Sequence, residues 1–414
     1  AAVNPAVRPV QLKEEVIGEM LRYVAAHEVG HTIGFPHNFG SSYAYPVDSL
    51  RSKSFTDRMG TTPSIMDYAR CNYVAQPGDG VTSLIPGIGE YDKWAIKWGY
   101  TLFENTTSPD SELTTLRKWI TDRADDPLYF YGRQTITPVD PRSNREDISN
   151  DNIQAGRYGL ANLKITMDNL LEWTAVDGED YAILKDRYNA LLRQYSRYLN
   201  HATTWVGGVY ETDKTADQEG SVYTPVSKAR QQEAVAFLNQ HLFETPTWIV
   251  EAEVLQRIEY SGVVERINRY QERTLNGLLN PWKLARLIEA EALHGPEAYA
   301  IVDLFNDLRR GIWSELDAGE SIDTYRRNLQ RAHLEALVKL YSENEPKAPN
   351  PSFADLFGYT AIDLSQSDVR PLVRAELNIL ARHIRTALRK APDSMTRYHL
   401  EDLQARIDEA LDKK

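Results

Sequence analysis

Cysteine is nearly absent: Cys71 is the only one in 414 residues. No intrachain disulfide can form, and a lone thiol says nothing about an oxidising compartment. Arg70 beside it favours a lower thiol pKa. No His or Asn pattern around it marks a thiol nucleophile, so it reads as a buried structural residue. Positive charge is in deficit, with 47 Lys and Arg against 59 Asp and Glu, a net charge of −12. This argues against a nucleic-acid surface, which needs clustered cations. One basic stripe, Arg382, Arg385 and Arg389, reads as a solvated helix face. No apolar run reaches the roughly eighteen residues of a transmembrane helix. Fixed-period repeats and low-complexity tracts are also missing. The opening, AAVNPAVRPV, has neither an initiator Met nor a signal-type apolar core, and is expected to be that of a processed or partial chain.

What remains is ordinary globular material: 42% hydrophobic and 26% charged. The length suggests two or three domains. A helical pattern starts near Gln11, where Ile17, Met20, Val24, His27 and His31 follow 3–4 spacing along one face. Tyr23, Ala25, Ala26, Val29 and Ile33 occupy the other side, so this helix is expected to be buried all round. Residues 38–90 read as irregular, a second helix starts at Tyr91, and 105–152 form a polar connection whose aromatic patch (DDPLYFYGRQ) suits a short strand. Beyond Ile153 the chain is strongly helical. Tyr181, Leu184, Tyr188, Leu191, Tyr195 and Tyr198 form a packing stripe, and 203–223 has room for a hairpin. Further helices are expected over 226–242, 250–278, 281–315, 319–343, 366–390 and 393–412, with a proline-rich linker at 344–352. The fold class is therefore mainly α, α+β at most. The expected domains are 1–105, a connection 106–152, a helical domain 153–343, the linker, and a helical segment 353–414.

The chemistry concentrates in HEVGHTIGFPH, residues 27–37, which holds three of the nine histidines. His27 and His31 are four apart on a helix, so both rings can meet one ion. Gly34 permits the reversal that brings in His37 as third ligand, and Pro36 turns the chain away from the helix. Three imidazoles plus a water suit a catalytic Zn2+. Glu28 follows the first ligand and lies where a general base should be.

With those residues in place, the stretch resembles the extended zinc signature of the metzincin metallopeptidases. PSIMDY (63–68) is similar to the family's methionine turn, with Met66 beneath the metal. By the same likeness Tyr68 is a switchable metal ligand and oxyanion stabiliser. Asn38 and Asp67 depart from the plain astacin, matrixin and adamalysin patterns. The combination with IGEYDKWAIKWGY and a long helical tail resembles the large multidomain bacterial zinc-dependent metallopeptidases. Glu90 and Asp92 then read as helix-start residues. The motif-bearing likeness covers residues 12–100.

The resemblance implies a zinc-dependent endopeptidase acting on peptide or protein substrates, exported to the periplasm, cell surface or medium. It also implies a substrate-binding sheet ahead of the active-site helix. Only 26 residues precede His27, so this chain is expected to be a C-terminal fragment. It would carry the lower subdomain of the catalytic domain, followed by a helical domain, and partner the missing N-terminal part of the same protein. Alone it is expected to be a poor peptidase. Two other readings stay open: a zinc-stapled structural or binding module without catalysis, and a zinc hydrolase of non-peptide amides.

Overall fold

The computed structural model describes residues 1–104, 108–134, 139–342 and 363–412. Helices dominate: the only strands among these residues are β1, Val209–Glu211, and β2, Tyr223–Pro225, an antiparallel pair. The expected hairpin and the mainly α class are both present. The chain divides into two compact units, 1–201 with 256–258, and 202–255 with 259–414.

The first unit begins with α1, Glu14–Thr32. Glu14 and Glu15 place negative charge at the positive end of the helix. The helix ends in a Schellman turn: Phe35 N–H donates to Gly30 O at 3.0 Å and Gly34 N–H to His31 O at 3.0 Å, with Gly34 at φ +90°. The all-round burial expected of α1 is not found. Only His27 and Gly30 are buried, while Leu21 is 62% and Val29 56% exposed. Neighbouring segments cover just the side that carries the histidines. The apolar pattern therefore records surface that needs cover, not surface that this unit covers.

Residues 38–90 are mostly turns, with 3-10 segments at Ser41–Ala44 and Val47–Arg51 and one short helix, α2 (Lys53–Met59). α3 follows at Glu90–Tyr100 and α4 at Leu113–Thr121. The aromatic patch forms no strand. Pro127–Tyr129 is a 3-10 turn, and the run beyond it meets the 38–40 segment through Phe39 N–H to Gly132 O at 3.0 Å. Pairing stops there because the partner turns into a 3-10 segment after Gly40.

α5 (Asn152–Asp168), α6 (Leu170–Thr174) and α7 (Ala182–Trp205) complete the unit, whose boundary falls inside α7. A division at 105 or 152 is not what the contacts give. The physical reason is side-chain bonding across those positions: Asn162 Nδ2 donates to Ala75 O at 2.8 Å and Tyr73 O at 3.0 Å, and Gln76 Nε2 donates to Tyr158 O at 3.1 Å. Tyr188, Tyr195 and Tyr198 are buried as the stripe predicts, but Tyr181 precedes the helix and is exposed. Cys71, expected to be buried, is exposed; enough protein still surrounds its sulfur to raise the thiol pKa by desolvation.

The second unit is a helical assembly: α8 (Lys228–Leu238, continued by a π turn to Phe243), α9 (Ala252–Ile258), α10 (Val263–Leu278), α11 (Pro281–His294), α12 (Ile301–Ile312), α13 (Ser314–Ala318), α14 (Thr324–Ser342), α15 (Val369–Leu388) and α16 (Ser394–Asp412). The last three residues of α9 belong to the first unit. Two expected long helices are broken. Gly262 at φ +124° separates α9 from α10, and Gly295 at φ +57° ahead of Pro296 ends α11. α14 packs against α10, α15 and α16. Ile301, Leu304, Phe305, Leu308 and Ile312 show the 3–4 spacing of one buried face. Arg382, Arg385 and Arg389 are exposed. The expected linker at 344–352 and residues 353–362 of the expected C-terminal segment lie outside the described residues.

Candidate metal centre

The three histidines meet at the C-terminal end of α1. His27 and His31 project from one face of the helix, and the Schellman turn carries the chain back so that His37 joins them. One ring nitrogen from each lies within 4.8 Å of the others. The other nitrogens are spoken for. His27 Nδ1 lies 2.7 Å from Ile65 O, His31 Nδ1 2.8 Å from Phe35 O, and His37 Nδ1 2.6 Å from Gln134 Oε1. Oxygens that can only accept fix these rings with hydrogen on Nδ1 and a lone pair on Nε2. His31 Nε2 and His37 Nε2 then face each other at 3.1 Å, and the buried Nε2 of His27 has no hydrogen-bond partner. Converging lone pairs repel unless a cation lies among them, so the donor set fits a zinc ion. Burial lowers the His37 pKa first, helped by His31 and His27 and opposed by the Gln134 hydrogen bond. This favours the neutral ring that a metal requires.

The methionine turn lies beneath. Met66 is buried, and a Cβ at Gly30 would come within 2.2 Å of its sulfur. Gly30 is thus the position in the helix where this thioether can approach. Met66 O accepts from Asn38 N–H at 3.1 Å, so the turn also holds the residue after His37. Tyr68 is 39% exposed, with its ring centroid 4.4 Å from that of His37 and 5.3 Å from that of His27. Glu28 is exposed on α1 beside His27.

Asp92 does more than start α3. It accepts the Gly89 amide at 2.8 Å as a cap, and also the Ser64 hydroxyl at 2.6 Å and the Ile65 amide at 2.8 Å. The same Ile65 holds His27 through its carbonyl. Asp92 therefore fixes the peptide that orients the first ligand, even though burial raises its pKa. Gln134 and Asn38 are supports that the sequence pattern does not mark. Asn38 bridges to Phe130 O at 2.9 Å and Gly132 N–H at 2.8 Å, placing Gln134 over His37. Ninety-seven positions separate His37 from Gln134, and no local pattern announces such a pairing.

A helix-borne histidine pair, a third histidine past a turn, and a methionine beneath them form a cluster that could hold one metal ion. A family model described as Met-zincin matches residues 9–320, and the chain belongs to that family. No curated protein and no solved structure matches the chain.

Proposed function

We propose that this chain carries the catalytic centre of a zinc-dependent metalloendopeptidase, with His27, His31 and His37 as ligands, Glu28 as general base and Tyr68 as oxyanion stabiliser. The observation behind this reading is the uniform orientation of the rings: three Nδ1 atoms held by oxygen acceptors and three Nε2 atoms free to converge. A zinc ion there would supply Lewis acidity, lowering the pKa of a water and polarising a carbonyl. The Glu28 carboxylate takes the proton of the attacking water and returns it to the amine nitrogen of the departing peptide. The Tyr68 hydroxyl donates to the oxygen that becomes negative at the scissile carbonyl. Met66 and Asp92 do no chemistry: Asp92 holds Ile65, whose carbonyl orients the His27 ring, and Met66 packs on Gly30 and holds Asn38 through its carbonyl.

The exposed apolar side of α1 supports a further part of the reading. A substrate-binding portion of the same protein covers Leu21, Val24 and Val29, and extended peptides pair with it; the setting is extracytoplasmic. This 414-residue chain alone is then a poor peptidase, and efficient casein or gelatin cleavage by it would refute that point. Glu28→Ala in the longer parent protein tests the chemistry. Zinc content should remain at one per chain while peptide turnover falls about 10²–10⁴-fold. Unchanged turnover would remove Glu28 from its role, and loss of zinc together with the fold would favour a structural staple.

A further inference from the structure

Arg145 stands in the stretch 140–152, DPRSNREDISNDN, which bonds to the segment following the third histidine. Asn150 N–H donates to Tyr45 O at 2.8 Å and Val47 N–H to Asn150 Oδ1 at 3.1 Å. The backbone is fixed at Arg145 itself, whose carbonyl accepts from His201 Nε2 at 2.9 Å. The next residue, Glu146, has φ +62°, where a residue with a side chain is strained. Its carboxylate pairs with Arg70 at 2.7 Å and also with Arg197. These two ion pairs hold the strained turn in place, while the Arg145 side chain stays exposed.

The other arginine of the stretch, Arg142, pairs with Asp140 at 2.7 Å. Arg145 pairs with no carboxylate among the described residues. It meets an aromatic ring instead. Its guanidinium carbon lies 5.4 Å from the centroid of Phe39, within cation–π range. Phe39 is buried and stacks on His37, with centroids 5.1 Å apart and ring planes at 28°. The Tyr68 ring is 5.2 Å from Phe39. One ring therefore separates a cation without an acidic partner from the third histidine and from Tyr68. A ring face holds a guanidinium without using up its N–H fork, and that fork matches a carboxylate.

We propose that Arg145 binds a carboxylate of the substrate, supplied by an Asp or Glu side chain near the cleaved bond or by a free C-terminus. The proposal rests on the metallopeptidase reading and adds a charge preference to it. An extended peptide advances about 3.4 Å per residue, so a guanidinium one ring beyond His37 meets groups one to three residues from the cleaved bond. Phe39 presents the guanidinium, and the bonds at the Arg145 carbonyl and at Glu146 fix where its side chain starts.

The test gives the zinc-loaded longer parent protein two mixtures of random octapeptides, acetylated at the N-terminus. One mixture is amidated and the other has free C-termini, and the products are sequenced by mass spectrometry. Enrichment of Asp and Glu at one position beside the cleaved bond, in the amidated mixture, marks a side chain as the source. Cleavage at a fixed distance from the end, in the free mixture alone, marks the C-terminus. A matched acidic and neutral peptide should then differ about tenfold in KM, with similar kcat. Arg145→Ala should abolish that ratio by raising KM for the acidic peptide alone. Arg145→Glu should shift preference to a Lys peptide, and zinc content and melting temperature should be unchanged in both. Cleavage indifferent to charge, or a ratio that survives Arg145→Ala, would overturn the proposal and leave the peptidase reading standing. If no peptide is cleaved, calorimetric binding of the same matched peptides to the zinc-loaded 414-residue chain decides. A preference for the acidic peptide that Arg145→Ala removes would keep the carboxylate site while the peptidase reading fails. Equal binding of the two peptides, or none, would overturn both.

Discussion

The two units bury different polar groups. The first is built from turns around the histidine cluster and encloses carboxyls: burial raises Asp67 to about 7 and lifts Asp92 and Asp147 above their usual range. The second is built from helix faces and encloses histidines. His333 accepts from Trp313 Nε1 at 3.0 Å and is pushed down to about 3; His399 donates to Gln330 Oε1 at 2.9 Å and is likewise pushed down to about 3, by burial first and then by Arg331. Arg326 closes the same network, donating to Glu315 and to Ile312 O. Enclosed acids are relieved by acid, whereas enclosed neutral histidines are broken by it. Two units of one chain should therefore answer pH with opposite sign, although Glu376 in the second unit, raised by burial, works against its two histidines.

The strongest way to break the second unit alone is Arg326→Ala. It leaves the buried Glu315 without its cation, at a cost of about 3–5 kcal/mol. Denaturant unfolding followed at Trp313 should show the loss, while zinc binding in the first unit should not change. Next in size is pH. The histidine pKa values are depressed on folding, so their contribution is complete above the unfolded value near 6.5 and is lost as pH falls toward 3. By pH 5 each histidine should have cost about 2 kcal/mol. Hydrogen exchange read peptide by peptide should show α14 and α16 opening first. The buried carboxyls of the first unit move the other way, gaining as pH falls through 7, although His201, pushed down to about 4, opposes them there. Equal slopes in both units would end the contrast.

Gly30→Ala sharpens the other side. Its methyl would press on Met66, costing about 1–3 kcal/mol and loosening zinc, with the second unit unaffected. The smallest effect on folding belongs to Gln134→Ala. Gln134 is exposed, so unfolding should shift by under about 0.5 kcal/mol. Zinc affinity, measured by competition with a chromogenic chelator, should still fall about tenfold because His37 loses its orienting acceptor.

The histidine trio was legible because its geometry is local. A helix places residues four apart on one face, and Gly34 marks where the chain can turn. Met66 was legible by resemblance, and Gly30 explains physically why a sulfur sits there. The supports were not legible. Asp92 has the spacing of a helix cap, and nothing in that spacing says that its second oxygen also serves the turn. Gln134 meets His37 only because Asn38 holds Phe130 and Gly132. The hydrophobic pattern of α1 predicts burial, but such a pattern states only a demand for cover. The helical tail was placed correctly in outline, but glycines split two of its helices, and the first unit ran on to His201 through side-chain bonds that periodicity does not encode.

The arrangement of the ligands also carries a kinetic consequence. His27, His31 and His37 lie within eleven residues, so closing their loop costs little and requires no distant partner. Ile65, which orients His27, arrives from 38 positions away, and Gln134 from 97. On the proposed zinc reading, metal capture would precede the collapse of the unit around it, with ligand orientation following as the later segments dock. In a refolding experiment zinc should enter in two phases, a weak early association with the nascent helix and a slower tightening, and the Gln134→Ala chain should lose only part of the second.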